Sequence, residues 1–276
     1  MSEIYSINVR GHLMMLDVPR VMGILNVTPD SFYEESRVAF GDSLLRRAAE
    51  MIEGGADILD IGGCSTRPGG EYVSEDEELA RLDTALNLLD KHFPQAVVSV
   101  DTFRAKVASE CVRNHNVAII NDVSGFELDE KMLDTVAELR IPYVLTHSIG
   151  AAGDEPLYAD FMPDVLTSLS KKMWQLHQRG VADVIVDPGF GFGKTIQQNY
   201  YMLSHLGEFA LLDAPLLVGI SRKSMITKLL GVSPTEALNG TTVLNTAAII
   251  NGAHIIRVHD VAAAVEAVRL CMALKA

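Results

Sequence analysis

Short apolar runs rich in Val and Ile recur along this chain, and nearly every one stops on a residue able to do chemistry. Runs at 21–26, 57–61, 97–101, 117–121, 142–147, 183–187, 216–220 and 253–258 have the length and composition of buried parallel strands. Between them, 42–54, 75–92, 104–115, 128–140, 160–180, 195–208, 223–251 and 260–275 carry helical spacing. Gly54-Gly55 and Gly180 are expected to stop helices, and Asp42 and Ser74 to cap them. Met173 and Trp174 are expected to pack against a neighbour, and His92, His115, His177 and His205 to be solvated.

Eight strand-helix alternations predict an α/β protein of the (β/α)8 TIM barrel type, with a doubly wound open sheet as the competitor. An open sheet concentrates its ligand groups in one or two loops, whereas here polar residues end almost every strand, which favours the barrel. INVRG and LMMLD flank Gly11-His12 and predict an N-terminal β-hairpin that plugs the barrel's N-terminal end. With no linker or repeat, residues 1–276 read as a single domain.

The 48% hydrophobic content supports one large core. No apolar run approaches the roughly 18 residues of a bilayer span, and Glu3, Arg10 and Asp17 do not suit a signal peptide, so a cytoplasmic protein without a membrane partner is expected. Cys64, Cys111 and Cys271 form neither a disulfide framework nor a zinc pattern. A net charge of −13 argues against nucleic acid. Yet Arg67, Arg222, Lys223, Arg257 and His259 gather cations at strand ends, which points to a small anionic ligand.

The strand ends supply the candidate chemistry. Asn26-Val27-Thr28-Pro29-Asp30-Ser31-Phe32 follows the first strand and offers an amide to a cation or metal, or forms a turn with no ligand. Gly62–Gly70 surrounds Cys64 and Arg67 with glycine, as expected of a loop that closes over an anion. Asp187–Thr195 fails as a P-loop, because Pro188 stands where the first Gly belongs, and as a dinucleotide fingerprint, because Ile196 takes the third Gly position. What remains is a carboxylate beside Phe190 and Phe192, suited to a flat polar heterocycle. Ser221-Arg222-Lys223-Ser224 leads into a helix, and Arg257-Val258-His259 puts two side chains on one strand face, which together make a pyrophosphate clamp. His147 also ends a strand but stays outside the expected site.

Asn26–Phe32, Gly62–Gly69, Ser99–Thr102, Ile120–Gly125, Asp187–Lys194, Ser221–Ser224 and Gly252–Val261 together resemble the dihydropteroate synthase family in order and spacing, over nearly the whole chain. The resemblance implies a dimeric barrel that joins 6-hydroxymethyl-7,8-dihydropterin pyrophosphate to p-aminobenzoate, giving 7,8-dihydropteroate and pyrophosphate. It implies pterin binding by Asp101, Asn121, Asp187 and Lys223, and pyrophosphate binding by Asn26, Thr66, Arg67, Arg257 and His259. It assigns p-aminobenzoate to Thr66, Arg67, Pro68, Phe192, Ser221, Arg222 and Ser224, and makes Asp101, Lys223 and Arg67 the catalytic groups. Mg2+ would meet Asn26, and the C–O bond would break before the arylamine attacks. Three departures stand out: Cys64 where Glu is frequent, Tyr33-Glu34-Glu35 after Phe32, and Thr146-His147-Ser148 where a Met-His-Met sequence is frequent. Two rivals are a pterin-binding methyltransferase barrel, which needs neither the Ser-Thr-Arg-Pro loop nor the Arg-x-His clamp, and a silent pterin-binding paralogue.

Overall fold

The computed structural model describes residues 4–27, 37–64, 73–149 and 159–275. Two short strands, β1 (Ser6–Val9) and β2 (His12–Met15), pair antiparallel around Arg10-Gly11. Both turn residues have positive φ, +52° and +83°, and Gly11 takes the larger value without a steric penalty.

Eight parallel strands follow: β3 (Arg20–Asn26), β4 (Ile58–Gly62), β5 (Val98–Asp101), β6 (Val117–Asp122), β7 (Tyr143–Thr146), β8 (Val184–Asp187), β9 (Leu217–Val218) and β10 (Ile255–Val258). Each pairs with its neighbour in sequence, β10 returns to β3, and a parallel bridge from Val186 to Leu216 links β8 to the start of β9. The ring is therefore the expected barrel. The predicted seventh strand is cut to two residues, ending before Gly219.

The period of two sorts the strands between two apolar clusters, broken on β6 by a register irregularity between Val117 and Ile119. Leu59, Ile61, Val98, Val100, Val117, Ile120, Leu145, Val186 and Val218 face outward and pack under the helices. Met22, Ile58, Ile119, Val144, Ile185, Leu217 and Ile255 face inward, and there they meet Ile7, Val9 and Leu16 of the hairpin segment. The hairpin thus closes the N-terminal end of the barrel with side chains, as its pattern predicts.

The helices are α1 (Arg37–Glu53), α2 (Glu75–His92), α3 (Ala105–Asn114), α4 (Lys131–Leu139), α5 (Phe161–Gln178), α6 (Ile196–Ser204), α7 (Ser224–Leu230), α8 (Leu238–Ile250) and α9 (Val261–Lys275). Ser74 caps α2 by accepting from the Glu77 amide, with Glu75–Glu78 on the positive end of the helix dipole. Asp42 is not a cap, because α1 begins five residues before it. The long helix expected over 223–251 is two helices. Gly231 ends α7 in the left-handed conformation, and Ser233 and Glu236 form a capping box on a 3-10 turn before α8. Trp174 is 64% exposed beside buried Met173, and His115 is buried between Asp83 and Asp90, 3.0 and 3.1 Å from its ring nitrogens. Both residues therefore reverse their expected surroundings.

Candidate active site

One step of two residues beyond five of the inward apolar positions, the barrel interior turns polar. Ile58 is followed by Asp60, Ile119 by Asn121, Val144 by Thr146, Ile185 by Asp187 and Ile255 by Arg257. Asp101 ends β5 beside Asn121 in register. The same alternation that plugs the bottom of the barrel therefore builds a ring of polar groups toward the strand C-termini.

Arg257 ties this ring together. Its Nε donates to Asp60 Oδ2 at 2.6 Å and its Nη2 donates to Asp101 Oδ2 at 2.6 Å, so one guanidinium joins β10 to β4 and β5. Asn121 Nδ2 donates to the same Asp60 oxygen at 3.0 Å. The second oxygens, Asp60 Oδ1 and Asp101 Oδ1, are buried without a hydrogen-bond partner among the described residues. Burial, partly opposed by Arg257 and reinforced by Asp60, pushes the Asp101 carboxyl up to about 7.

On the other side, Asp187 Oδ1 accepts from the Gly189 amide at 2.8 Å. Burial raises its pKa, against the pull of Lys223. Lys223 donates its Nζ to the Phe190 carbonyl and holds that charge 4.6 Å from the centre of the Phe192 ring. Burial lowers the lysine to about 8. Lys194, lowered by burial to about 7, donates to the carbonyls of His147 and Gly189, each at 2.9 Å, and so clamps the end of β7 to the loop after β8. His147 is held neutral by burial, its pKa lowered to about 3, with Nδ1 lacking a hydrogen-bond partner among the described residues.

Around the rim, His259 Nδ1 lies 3.0 Å from Ser221 Oγ, and Arg47 donates to the His259 carbonyl at 2.7 Å. Arg222, with φ +57°, turns its guanidinium onto Asp260 in a two-point contact of 3.0 and 2.6 Å. Ser224 opens α7, and Asn26 stands exposed at the end of β3. Asp101, Asn121, Asp187, Lys223 and Arg257 are thus brought together, with His259 and Ser221 paired nearby. The guanidinium of Arg222 is engaged elsewhere. Thr66, Arg67 and Pro68, and the Thr28–Glu35 stretch, lie outside the described residues. Asp60 was missed by sequence reasoning focused on strand ends, although a carboxylate inside the apolar run ILDIG was a visible signal.

A parallel barrel with acceptor carboxylates, an amide and two cations at its strand ends defines a barrel enzyme suited to a flat, polar, heterocyclic ligand. The sequence profile of the pterin binding enzyme family matches residues 22–259. Dihydropteroate synthase of Escherichia coli (strain K12) is 40% identical over 266 residues, covering 95% of this chain and 93% of that protein. The solved structure of Yersinia pestis dihydropteroate synthase with a sulfonamide drug is 38% identical, with a TM-score of 0.90 over 98% of this chain and 99% of that one. That of the Xanthomonas albilineans enzyme with 4-aminobenzoic acid is 37% identical, with a TM-score of 0.88 over 99% of each chain. The chain belongs to the dihydropteroate synthase family of pterin-binding enzymes.

Proposed function

We propose that the barrel mouth condenses 6-hydroxymethyl-7,8-dihydropterin pyrophosphate with p-aminobenzoate, releasing 7,8-dihydropteroate and pyrophosphate. The observation that carries this reading is the shared floor of Asp60, Asp101, Asn121 and Arg257 beside Asp187 and Lys223. Carboxylates and an amide complement the paired N–H and C=O groups of a pterin edge. Lys223, close to Phe192 and Phe190, supplies a donor to the ring.

In the reaction, the bond between the pterin methylene carbon and the pyrophosphate oxygen breaks, and that oxygen leaves with the electron pair. Positive charge then spreads from the methylene into the pterin, where the Asp101 carboxylate favours it. The arylamine nitrogen attacks the methylene and loses a proton, which completes dihydropteroate. Asn26, His259 and Ser221 are the described groups at the rim for the departing anion, with Thr66 and Arg67 also assigned to bind it. Phe192, Ser221, Ser224, Arg222 and Pro68 are proposed to surround p-aminobenzoate; for Arg222 this role competes with Asp260.

Asn26 suits Mg2+ as a single amide oxygen, because this ion takes most of its ligands from phosphates and water. Among the described residues no group of three His, Cys, Asp or Glu side chains could hold a metal. Bound there, the ion would neutralise charge on the departing pyrophosphate.

A homodimer is supported by Leu229, Leu230, Leu238, Val243, Ile250, Leu270 and Leu274, exposed large apolar side chains on the consecutive helices α7, α8 and α9. Three cysteines outside any disulfide support a reducing, cytoplasmic setting, and no described helix is long and apolar enough to cross a membrane. Purified protein given dihydropterin pyrophosphate, Mg2+ and p-aminobenzoate is expected to form both products. If neither product forms while the pterin still binds, the silent-paralogue reading takes over.

A further inference from the structure

Thr146 sits at an inward position of β7, two residues beyond Val144, which belongs to the inward apolar cluster. Its strand runs between β6, which carries Asn121, and β8, which carries Asp187, and Thr146 is directly beside Asp187 in register. It is fully buried, and its Oγ1 has no hydrogen-bond partner among the described residues. Its Cγ2 branch lies toward Gly189, 3.1 Å from the point a Cβ there would occupy.

A buried hydroxyl without a partner weakens a fold, so this one calls for a partner beyond those the described residues provide. Asp60 Oδ1, Asp101 Oδ1 and Ser99 Oγ are in the same condition on β4 and β5. Such atoms therefore recur around the polar end of the barrel. Asn121 and Asp187 are closed to solvent much as Thr146 is, so burial does not set Thr146 apart from the groups assigned to the heterocycle. A hydroxyl both donates and accepts, which lets it bind a ring edge where a donor and an acceptor adjoin.

We infer that Thr146 is a specificity-determining residue, its hydroxyl hydrogen-bonding the heterocycle held between Asn121 and Asp187. This rests on the pterin-site reading above.

The test is calorimetric titration of the wild type, Thr146→Val and Thr146→Ser with 6-hydroxymethyl-7,8-dihydropterin pyrophosphate, without p-aminobenzoate. Thr146→Val is expected to bind about three- to tenfold more weakly, the range of one net hydrogen bond, and to melt at the same or a higher temperature without ligand. Thr146→Ser is expected to restore affinity, and KM for p-aminobenzoate to stay unchanged in both variants. Equal affinity in Thr146→Val, or a lower melting point or failure to fold, would overturn the inference, since the hydroxyl would then serve the fold or a water. If the wild type makes no dihydropteroate but the valine variant still loses affinity, the proposed activity fails and the role of Thr146 stands. If turnover is normal and valine binds equally well, the reverse holds.

Discussion

Arg257 on β10 reaches Asp101 on β5 at 2.6 Å, and the same guanidinium reaches Asp60 on β4 at 2.6 Å. Two carboxylates at the polar end of the barrel thus depend on one cation. Arg257→Met would leave both buried without it, at a cost of about 3 kcal/mol. Burial and the neighbouring Asp60 already favour the protonated Asp101. The loss is therefore expected to be larger at pH 8, where the buried Asp101 must ionise or take up a proton without that cation, than at pH 5. Urea unfolding at the two pH values checks this; equal losses would mean that Arg257 contributes packing alone.

Asp101→Asn keeps the shape of the side chain and removes the charge proposed to favour the developing cation. Turnover is expected to fall about a hundredfold, with pterin affinity changing far less. A stability signature should accompany it. The folded-state pKa is about 7 against a reference value of 3.8, so between these values the folded wild type binds more protons than the unfolded chain. Its stability relative to Asp101→Asn should therefore decline as pH rises through that window. Steady-state kinetics and melting curves from pH 4 to 8 test both; unchanged turnover would contradict the catalytic assignment.

Gly189→Ala tests the loop that shapes Asp187. Gly189 has φ +71°, and a Cβ there would fall 1.9 Å from the His147 carbonyl oxygen. That oxygen belongs to the backbone that Lys194 clamps at 2.9 Å, so it cannot swing away as a side-chain tip would. The amide of Gly189 also fixes Asp187. A loss of about 3 kcal/mol or more is expected, with soluble yield and the urea midpoint as readouts.

The barrel was legible because each strand announces itself twice, by an apolar run and by the polar residue that ends it. The hairpin was legible for a similar reason: Gly11 marks the turn, and the alternation around it decides which side chains enter the barrel. Asp60 was not, because its role depends on Arg257, 197 positions away, and a period of two shows only which way a residue faces. Arg222 illustrates the same limit. The sequence puts it at the end of the seventh strand run, but its guanidinium follows Asp260, which lies 38 positions further on. Trp174 and Met173 differ by one helical position, about 100° of rotation, and helical spacing alone was too coarse to assign them to opposite environments.

Helix α8 is rich in apolar residues, yet Leu238, Val243 and Ile250 are exposed, as are Leu270 and Leu274 on the adjoining α9. Side chains of this size on neighbouring helices suit a second copy of the chain. The wild type is expected to sediment at twice the chain mass at micromolar concentration. Val243→Glu combined with Leu270→Glu should place charges in that face and shift the protein to the monomer mass. Because both positions are solvent-exposed within one chain, the melting temperature of the monomer should change little from the substitutions themselves. A wild type that sediments as a monomer, or a double variant that remains a dimer, would remove these helices as the interface.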